Sequence, residues 1–139
     1  MNRYTLADMR VGLAHSFEVT VTEAMLDAFC GLSGDVNPLH TDADEARRRG
    51  FPDRVAYGML TASFYSTLVG VHLPGERALL HGVDAAFTGP VHPGDTLTVR
   101  GEVSYVNEAY GQIEIKARVV NQHGKTVSRA KIKAGVHDG

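Results

Sequence analysis

The chain has no tryptophan at all and only one cysteine, Cys30. One cysteine excludes an internal disulfide and suits a reducing compartment. Cys30 itself reads as a small packed residue rather than a nucleophile, because nothing near it in sequence would lower its pKa. There is no surplus of positive charge. Fourteen Lys and Arg stand against sixteen Asp and Glu, a net charge of −2, which argues against bulk nucleic-acid binding. No apolar run approaches the roughly 20 residues of a membrane helix, and residues 1–8 hold no apolar core of signal-peptide length. A soluble, cytoplasmic protein is expected. No repeat, low-complexity stretch or linker divides residues 1–139, so a single domain is expected, large enough for a sizeable core.

Several chemical signatures are missing as well. His15, His72, His81, His92, His123 and His137 are scattered without metal-ligand spacing. No glycine loop of the Walker or dinucleotide kind occurs, nor a Gly-x-Ser-x-Gly elbow. No serine has an evident activating base beside it in sequence.

What is present centres on Ser33-Gly34-Asp35-Val36-Asn37-Pro38-Leu39-His40. Within six residues it holds a carboxylate, an amide and an imidazole. Upstream, residues 22–32 carry Met25, Ala28, Phe29 and Leu32 at helical spacing, with Thr22 as N-cap and Gly34 at the C-cap position. Downstream, Asp42 and Glu45 form a capping-box-like start for a second helix through Ala46 and Arg49. Asn37 before proline is pushed toward an extended conformation, and Pro38 fixes its own φ. The stretch therefore reads as a stiff linker carrying Asp35 and His40 between two helix ends. An Asp and a His held at a set distance can share a water as general acid and base. His40 is expected just ahead of a helix N-terminus, where the dipole disfavours imidazolium. On residue types alone an ordinary polar turn is the simpler reading.

Around this stretch the period of apolar residues changes twice. Residues 16–21 alternate (Phe17, Val19, Val21) and read as a first strand. Arg47, Arg48 and Arg49 close the second helix, with Gly50 as cap. They read as a solvated basic end, the alternative being a docking patch for an acidic or phosphate-bearing partner. Residues 56–69 form the least polar long segment, apolar on most faces, as for a buried helix, and Gly70 and Pro74 end it. Gly58 falls in its first turn, where N–H groups lack intrahelical partners. A glycine there either admits a ligand carbonyl or merely keeps the helix close to a sheet. From Ala78 onward the period is two. Leu97, Val99, Val103 and Tyr105, then Ile113, Ile115, Ala117 and Val119, alternate with polar residues. Parity shifts once in the last strand, placing a bulge between Ser128 and Ala130. An antiparallel meander with one apolar face and one apolar helix to wrap is an α+β layout. Lys131 and Lys133 share a side of the last strand. They read as solvated, the alternative being contact with a coenzyme A phosphate. His15 is expected to be exposed.

Phe29, Ser33 to His40 and Ala46 resemble, without a gap, the hydratase motif of the MaoC-like dehydratases, which include (R)-specific enoyl-CoA hydratases. Val55-Ala56-Tyr57-Gly58-Met59-Leu60-Thr61-Ala62-Ser63 resembles the start of that family's central helix. The remainder matches only as a strand pattern. The resemblance implies a hot-dog fold, an antiparallel sheet wrapped around a long helix, and reversible addition of water to an enoyl thioester. It implies Asp35 and His40 as the catalytic pair, and the Gly58 N–H facing the thioester oxygen. It also places Ser66 in the site near Asp35, with Asn37 and Tyr57 among the substrate-binding residues. Tyr57 is a departure, since many relatives have His before the glycine; this bears on pocket shape. A homodimer is implied, acting on thioesters of coenzyme A or acyl carrier protein, with neither metal nor cofactor. Two other functions are weighed beside it. A hot-dog thioesterase would commonly place an acid on the central helix, yet residues 56–69 contain no Asp or Glu. A non-catalytic acyl-thioester binder would not need both Asp35 and His40, though fold alone does not fix function.

Overall fold

The computed structural model describes residues 1–138. A 3-10 turn (Leu6–Asp8) precedes strand β1 (Ala14–Thr20), followed by helices α1 (Glu23–Ser33), α2 (Pro38–Thr41), α3 (Ala43–Arg48) and α4 (Gly58–Thr67). A π-helical turn, Leu68–His72, extends α4. Strands β2 (Ala78–Phe87), β3 (Thr96–Asn107), β4 (Gln112–Val120) and β5 (Thr126–Val136) complete the chain. All pairings are antiparallel, in the order β1-β3-β4-β5-β2.

The caps of α1 form as the sequence suggests. Thr22 accepts from the Met25 N–H at 3.2 Å, and Gly34 takes φ of 76° with its N–H on the Cys30 carbonyl. That left-handed residue turns the chain into the Asp35 segment. The buried stripe differs from expectation. Leu26 is fully buried and Met25, Phe29 and Cys30 half-buried, whereas Ala28 and Leu32 face solvent. The stiff-linker reading of residues 35–40 also needs correction. Asn37 caps a one-turn helix, accepting from the Leu39 N–H at 3.0 Å, with Pro38 at its first position. His40 thus lies in a one-turn helix and, as expected, just ahead of the N-terminus of α3, whose N-cap is Asp42. Asp42 does cap α3, accepting from Asp44 and Glu45 N–H. Glu45 spends its carboxylate on Arg48 and Arg49, and Asp44 pairs with Arg47. Those arginines are satisfied by their own helix, which removes the ground for a docking patch.

The inner sheet face is apolar: Leu97, Val99, Val103, Ile113, Ile115, Val119, Ile132 and Ala134 are buried against Tyr65, Leu68 and Val69. Close approach depends on Gly101, where a Cβ would stand 2.7 Å from Leu68 and 2.9 Å from Ile115. A buried polar chain runs through the same contact. Tyr65 OH donates to Ser128 Oγ, which donates to the Ala86 carbonyl, both at 2.8 Å.

Where the sequence set bounds, the strands start and end within two residues of expectation; β1 begins at Ala14 rather than Ser16. The β5 irregularity falls at Val127. The pairing steps from Val119–Ser128 to Val120–Thr126, so Val127 is the extra residue rather than one between Ser128 and Ala130. His15 is half-buried beneath Tyr4, whose hydroxyl is 2.8 Å from its Nε2. Helix α4 is not buried on every face. Met59, Ser63 and Ser66 are exposed beside the edge strand β2, whose Leu80, Val83 and Phe87 on the same side are exposed too. Among the described residues nothing covers this apolar face.

Candidate active site

The site is assembled on an extended segment, residues 54–57, that leads into α4. Val55 bonds to α2 with both its main-chain groups. Its N–H reaches the Leu39 carbonyl at 3.1 Å, and its carbonyl meets His40 Nδ1 at 2.6 Å. Neighbouring residues bond the other way, as alternation along an extended chain requires. The Ala56 N–H donates to the Val91 carbonyl at 2.7 Å, and the Arg54 carbonyl lies 2.9 Å from His92 Nδ1. Residues 54–56 are therefore clamped between α2 and the loop before β3.

The Val55 contact fixes the His40 tautomer. A carbonyl only accepts, so Nδ1 carries the hydrogen and, in the neutral ring, Nε2 keeps its lone pair. His40 lines a cavity of about 180 Å³, with Gly58, Thr61, Phe87, Gly89 and Val127 among the other walls. Gly58 is the first residue of α4, and among the described residues its N–H has no backbone partner. A Cβ on Gly58 would meet the Phe87 ring at 3.4 Å, an ordinary contact. Packing alone therefore does not demand glycine here.

Asp35 is exposed just past the α1 cap. Its Oδ1 accepts from the Asn37 N–H at 3.1 Å, an Asx-turn. Tyr57 connects it to His40. The Tyr57 hydroxyl donates to the Asp35 main-chain carbonyl at 2.6 Å, and its ring lies against His40 with centroids 4.1 Å apart. Phe29 packs on the same ring at 4.8 Å. Tyr57 is 2% exposed. Burial, chiefly, and then the neighbouring Cys30 thiol push its pKa up to about 12.

Not every residue singled out in the sequence reaches this cavity. The Asn37 side chain is occupied in capping α2. Ser66 opens onto a separate groove of about 470 Å³ with Phe29, Met59 and Phe87. Phe87 is the one wall common to groove and cavity. A larger depression, about 570 Å³, lies on the outer sheet face around Lys116, Lys131 and Lys133 and holds neither an imidazole nor a helix terminus.

Sequence reasoning missed Arg54. It is 8% exposed, and its Nε donates to the His40 carbonyl while one terminal nitrogen donates to Asp27 Oδ1, both at 2.7 Å. Asp27 sits on α1, the helix that leads to Asp35. The Asp27–Arg54 pair therefore braces the parent helix of one candidate catalytic residue against the other. The only signal was an arginine close before an apolar helix, and nothing in sequence linked it to a residue 27 positions away.

The description "MaoC like domain" fits residues 9–126. The chain belongs to the MaoC-like family. An (R)-specific enoyl-CoA hydratase of Rhodospirillum rubrum is 40% identical over 91 residues, 66% of this chain and 63% of that protein's length. An enzyme of the same name from Aeromonas caviae is 37% identical over 101 residues, 73% of this chain and 75% of its own length. Among solved structures, an unliganded R-hydratase of Pseudomonas aeruginosa superposes with a TM-score of 0.91 at 32% identity, covering 97% of this chain and 86% of its own. The fold is thus the hot-dog fold expected from the sequence.

Proposed function

We propose that this protein hydrates trans-2-enoyl thioesters to (R)-3-hydroxyacyl thioesters, and catalyses the reverse dehydration, with Asp35 and His40 as the acid–base pair. One observation carries this reading. His40 is locked in one tautomer with Nε2 unpartnered, in a cavity whose wall includes the unpaired N–H at the start of α4. In the forward direction Asp35 and His40 hold one water. Its oxygen bonds to C3 as the pair takes a proton, and a proton is returned to C2. The C2–C3 double bond becomes single, one water is consumed and the thioester stays intact. Charge that gathers on the thioester oxygen is met by the Gly58 N–H at the positive end of α4. Tyr57 serves by holding Asp35 and His40 rather than by meeting substrate, since its hydroxyl is already engaged.

The thioester is borne by coenzyme A or an acyl carrier protein, and residues 1–139 act as one cytoplasmic domain. The working form is a homodimer. An edge strand with exposed Leu80, Val83 and Phe87 beside exposed Met59 is a surface that a second copy would cover. Because Phe87 is shared with the cavity, that interface would border the site, and Ser66 would meet the substrate or the second subunit there.

Crotonyl-CoA decides among the readings. Loss of enoyl absorbance without free thiol is the expected result. Release of free thiol would instead identify a thioesterase, and neither change would leave a binding module. An (S)-configured product would overturn the stereochemical half.

A further inference from the structure

The outer sheet face carries its charge in rows set by strand register. One row reads Ser16 on β1, Arg100 on β3, Arg118 on β4, Arg129 on β5 and Ala86 on β2. Three arginines thus stand side by side on adjacent strands, all exposed, with no carboxylate in the row. The next row reads Ala14, Glu102, Lys116, Lys131 and Asp84, two cations against two acids. Beyond it Lys133 lies 4.0 Å from Glu114. The excess positive charge of this face is confined to the arginine row, on a chain of net charge −2. Among the described residues none of the three arginines makes an ion pair. Like charges directly opposite on neighbouring strands destabilise a sheet. A neutral polar residue at the central position would keep the face soluble without that cost.

The row fits an anionic partner of particular shape. Arginine forks take carboxylates two bonds at a time. Strands lie about 4.8 Å apart, so the outer arginines stand roughly 10 Å apart. Carboxylates at i, i+3 and i+7 of a helix span about 10.5 Å at 1.5 Å per residue and share one face. Glu102 and Asp84 in the next row would repel a run of phosphates, whereas lysines beside an acidic stripe on a helix would pair with them. A shallow depression of about 300 Å³ lies over Arg100, Arg118 and Arg129 with Glu102 and Lys116 at its rim. We propose that this row is a docking surface for a partner protein that presents three carboxylates along one helix face, flanked by basic residues. The inference is independent of the hydratase reading.

The test uses the full-length protein and a fluorescent helical peptide with Glu at i, i+3 and i+7 and Lys beside them. Saturable binding is expected, weakened by salt, and weakened at least tenfold by Arg118→Gln. The same substitution should raise the melting temperature of the unliganded protein by relieving repulsion, and leave turnover of crotonyl-CoA, where present, unchanged. Equal binding of a peptide with the same composition but its carboxylates scattered around the helix would overturn the proposal. So would undiminished binding by Arg118→Gln, or a lower melting temperature for that variant. Tighter binding of a single-stranded oligonucleotide than of the peptide would replace the acidic-helix partner by a phosphate-bearing one.

Discussion

Removing either member of the Asp27–Arg54 brace should affect stability and activity in opposite order. Asp27→Ala leaves the Arg54 guanidinium nine-tenths buried without its carboxylate. Breaking a fully buried pair costs about 3–5 kcal/mol; here only the guanidinium is buried and it keeps its bond to the His40 carbonyl, so the cost lies at the lower end, about 3 kcal/mol. Arg54→Met removes the buried charge itself and keeps most of the apolar stem. The Asp27 side chain left behind is 68% exposed, so water takes over its solvation. The main loss is one charge-assisted bond to the His40 carbonyl, about 1.5–3 kcal/mol. Asp27→Ala should therefore be the less stable by roughly 1 kcal/mol, or about 4 °C in melting temperature for a chain of this size. Catalysis should rank them the other way. With Asp27→Ala the guanidinium still touches His40, whereas Arg54→Met frees the turn that carries the imidazole. A displacement on the order of 1 Å can cost about a hundredfold in rate, so kcat for crotonyl-CoA should fall about 10- to 100-fold in Arg54→Met and less in Asp27→Ala, with KM little changed in both. Thermal melts by circular dichroism and steady-state kinetics supply the two rankings. The same order in both measurements would refute the brace and leave only general destabilisation.

Four further outcomes follow from the site. Asp35→Asn and His40→Gln should each lose about 10²–10⁴-fold in hydratase rate with melting temperatures near wild type, and the double variant should be little worse than the poorer single one, the outcome expected of a pair that shares one water as proposed; near wild-type turnover by both folded single variants would sink the mechanism. Gly58→Ala places a methyl in ordinary contact with Phe87, so it should fold and melt normally yet lose about tenfold or more in kcat/KM by blocking the carbonyl's approach, and unchanged kinetics would leave packing as the sole reason for the glycine. Tyr57 has a pKa raised from 10 to about 12, chiefly by burial; the folded state holds this proton more tightly than the unfolded, so the stabilisation is complete below pH 10 and is lost as pH climbs through 12, a limb that Tyr57→Phe should flatten but not abolish because burial also raises Tyr65. Light scattering at micromolar concentration should give a dimer, and Val83→Lys on the exposed edge strand a monomer; a wild-type monomer with full activity would defeat the dimer reading.

How much of this was legible in the sequence depended on the range of the interaction. The β3 and β4 alternation at Leu97, Val99, Ile113 and Ile115 reports burial directly, because period two maps onto one face of a sheet. The α1 caps at Thr22 and Gly34 are local hydrogen bonds and were equally readable. Helix α2 was readable in principle, since Asn-Pro is a cap followed by a first-turn proline. Taken as a stiff linker, the same two residues hid the helical turn that carries His40. Ser66 shows a different limit. Its spacing from Ser63 places both on one side of α4, but which side meets the cavity is settled by Tyr65 and Leu68 packing on the sheet. The Asp27–Arg54 contact crosses 27 residues and left no local trace. Leu80, Val83 and Phe87 break the one-face rule because nothing among the described residues covers them.

Most of the candidate site hangs on five consecutive residues. Arg54 holds the His40 carbonyl, Val55 holds the His40 ring and the Leu39 carbonyl, Ala56 ties the segment to Val91, Tyr57 holds Asp35, and Gly58 offers its N–H. Two of these contacts come from side chains and the rest from the main chain of one extended run. Such a run has little freedom to move one contact without the others, because its bonds alternate between α2 on one side and the Val91–His92 loop on the other. The candidate acid–base residues and the candidate oxyanion donor are therefore placed by a single rigid piece rather than by three separate loops. Family members with a different side chain at position 57 can keep the Val55 and Gly58 contacts, which are main-chain, while changing how Asp35 is held. That separates what the proposed chemistry would use, a fixed imidazole and a helix-start N–H lining one cavity, from what this chain adds, a tyrosine strut between its two catalytic candidates.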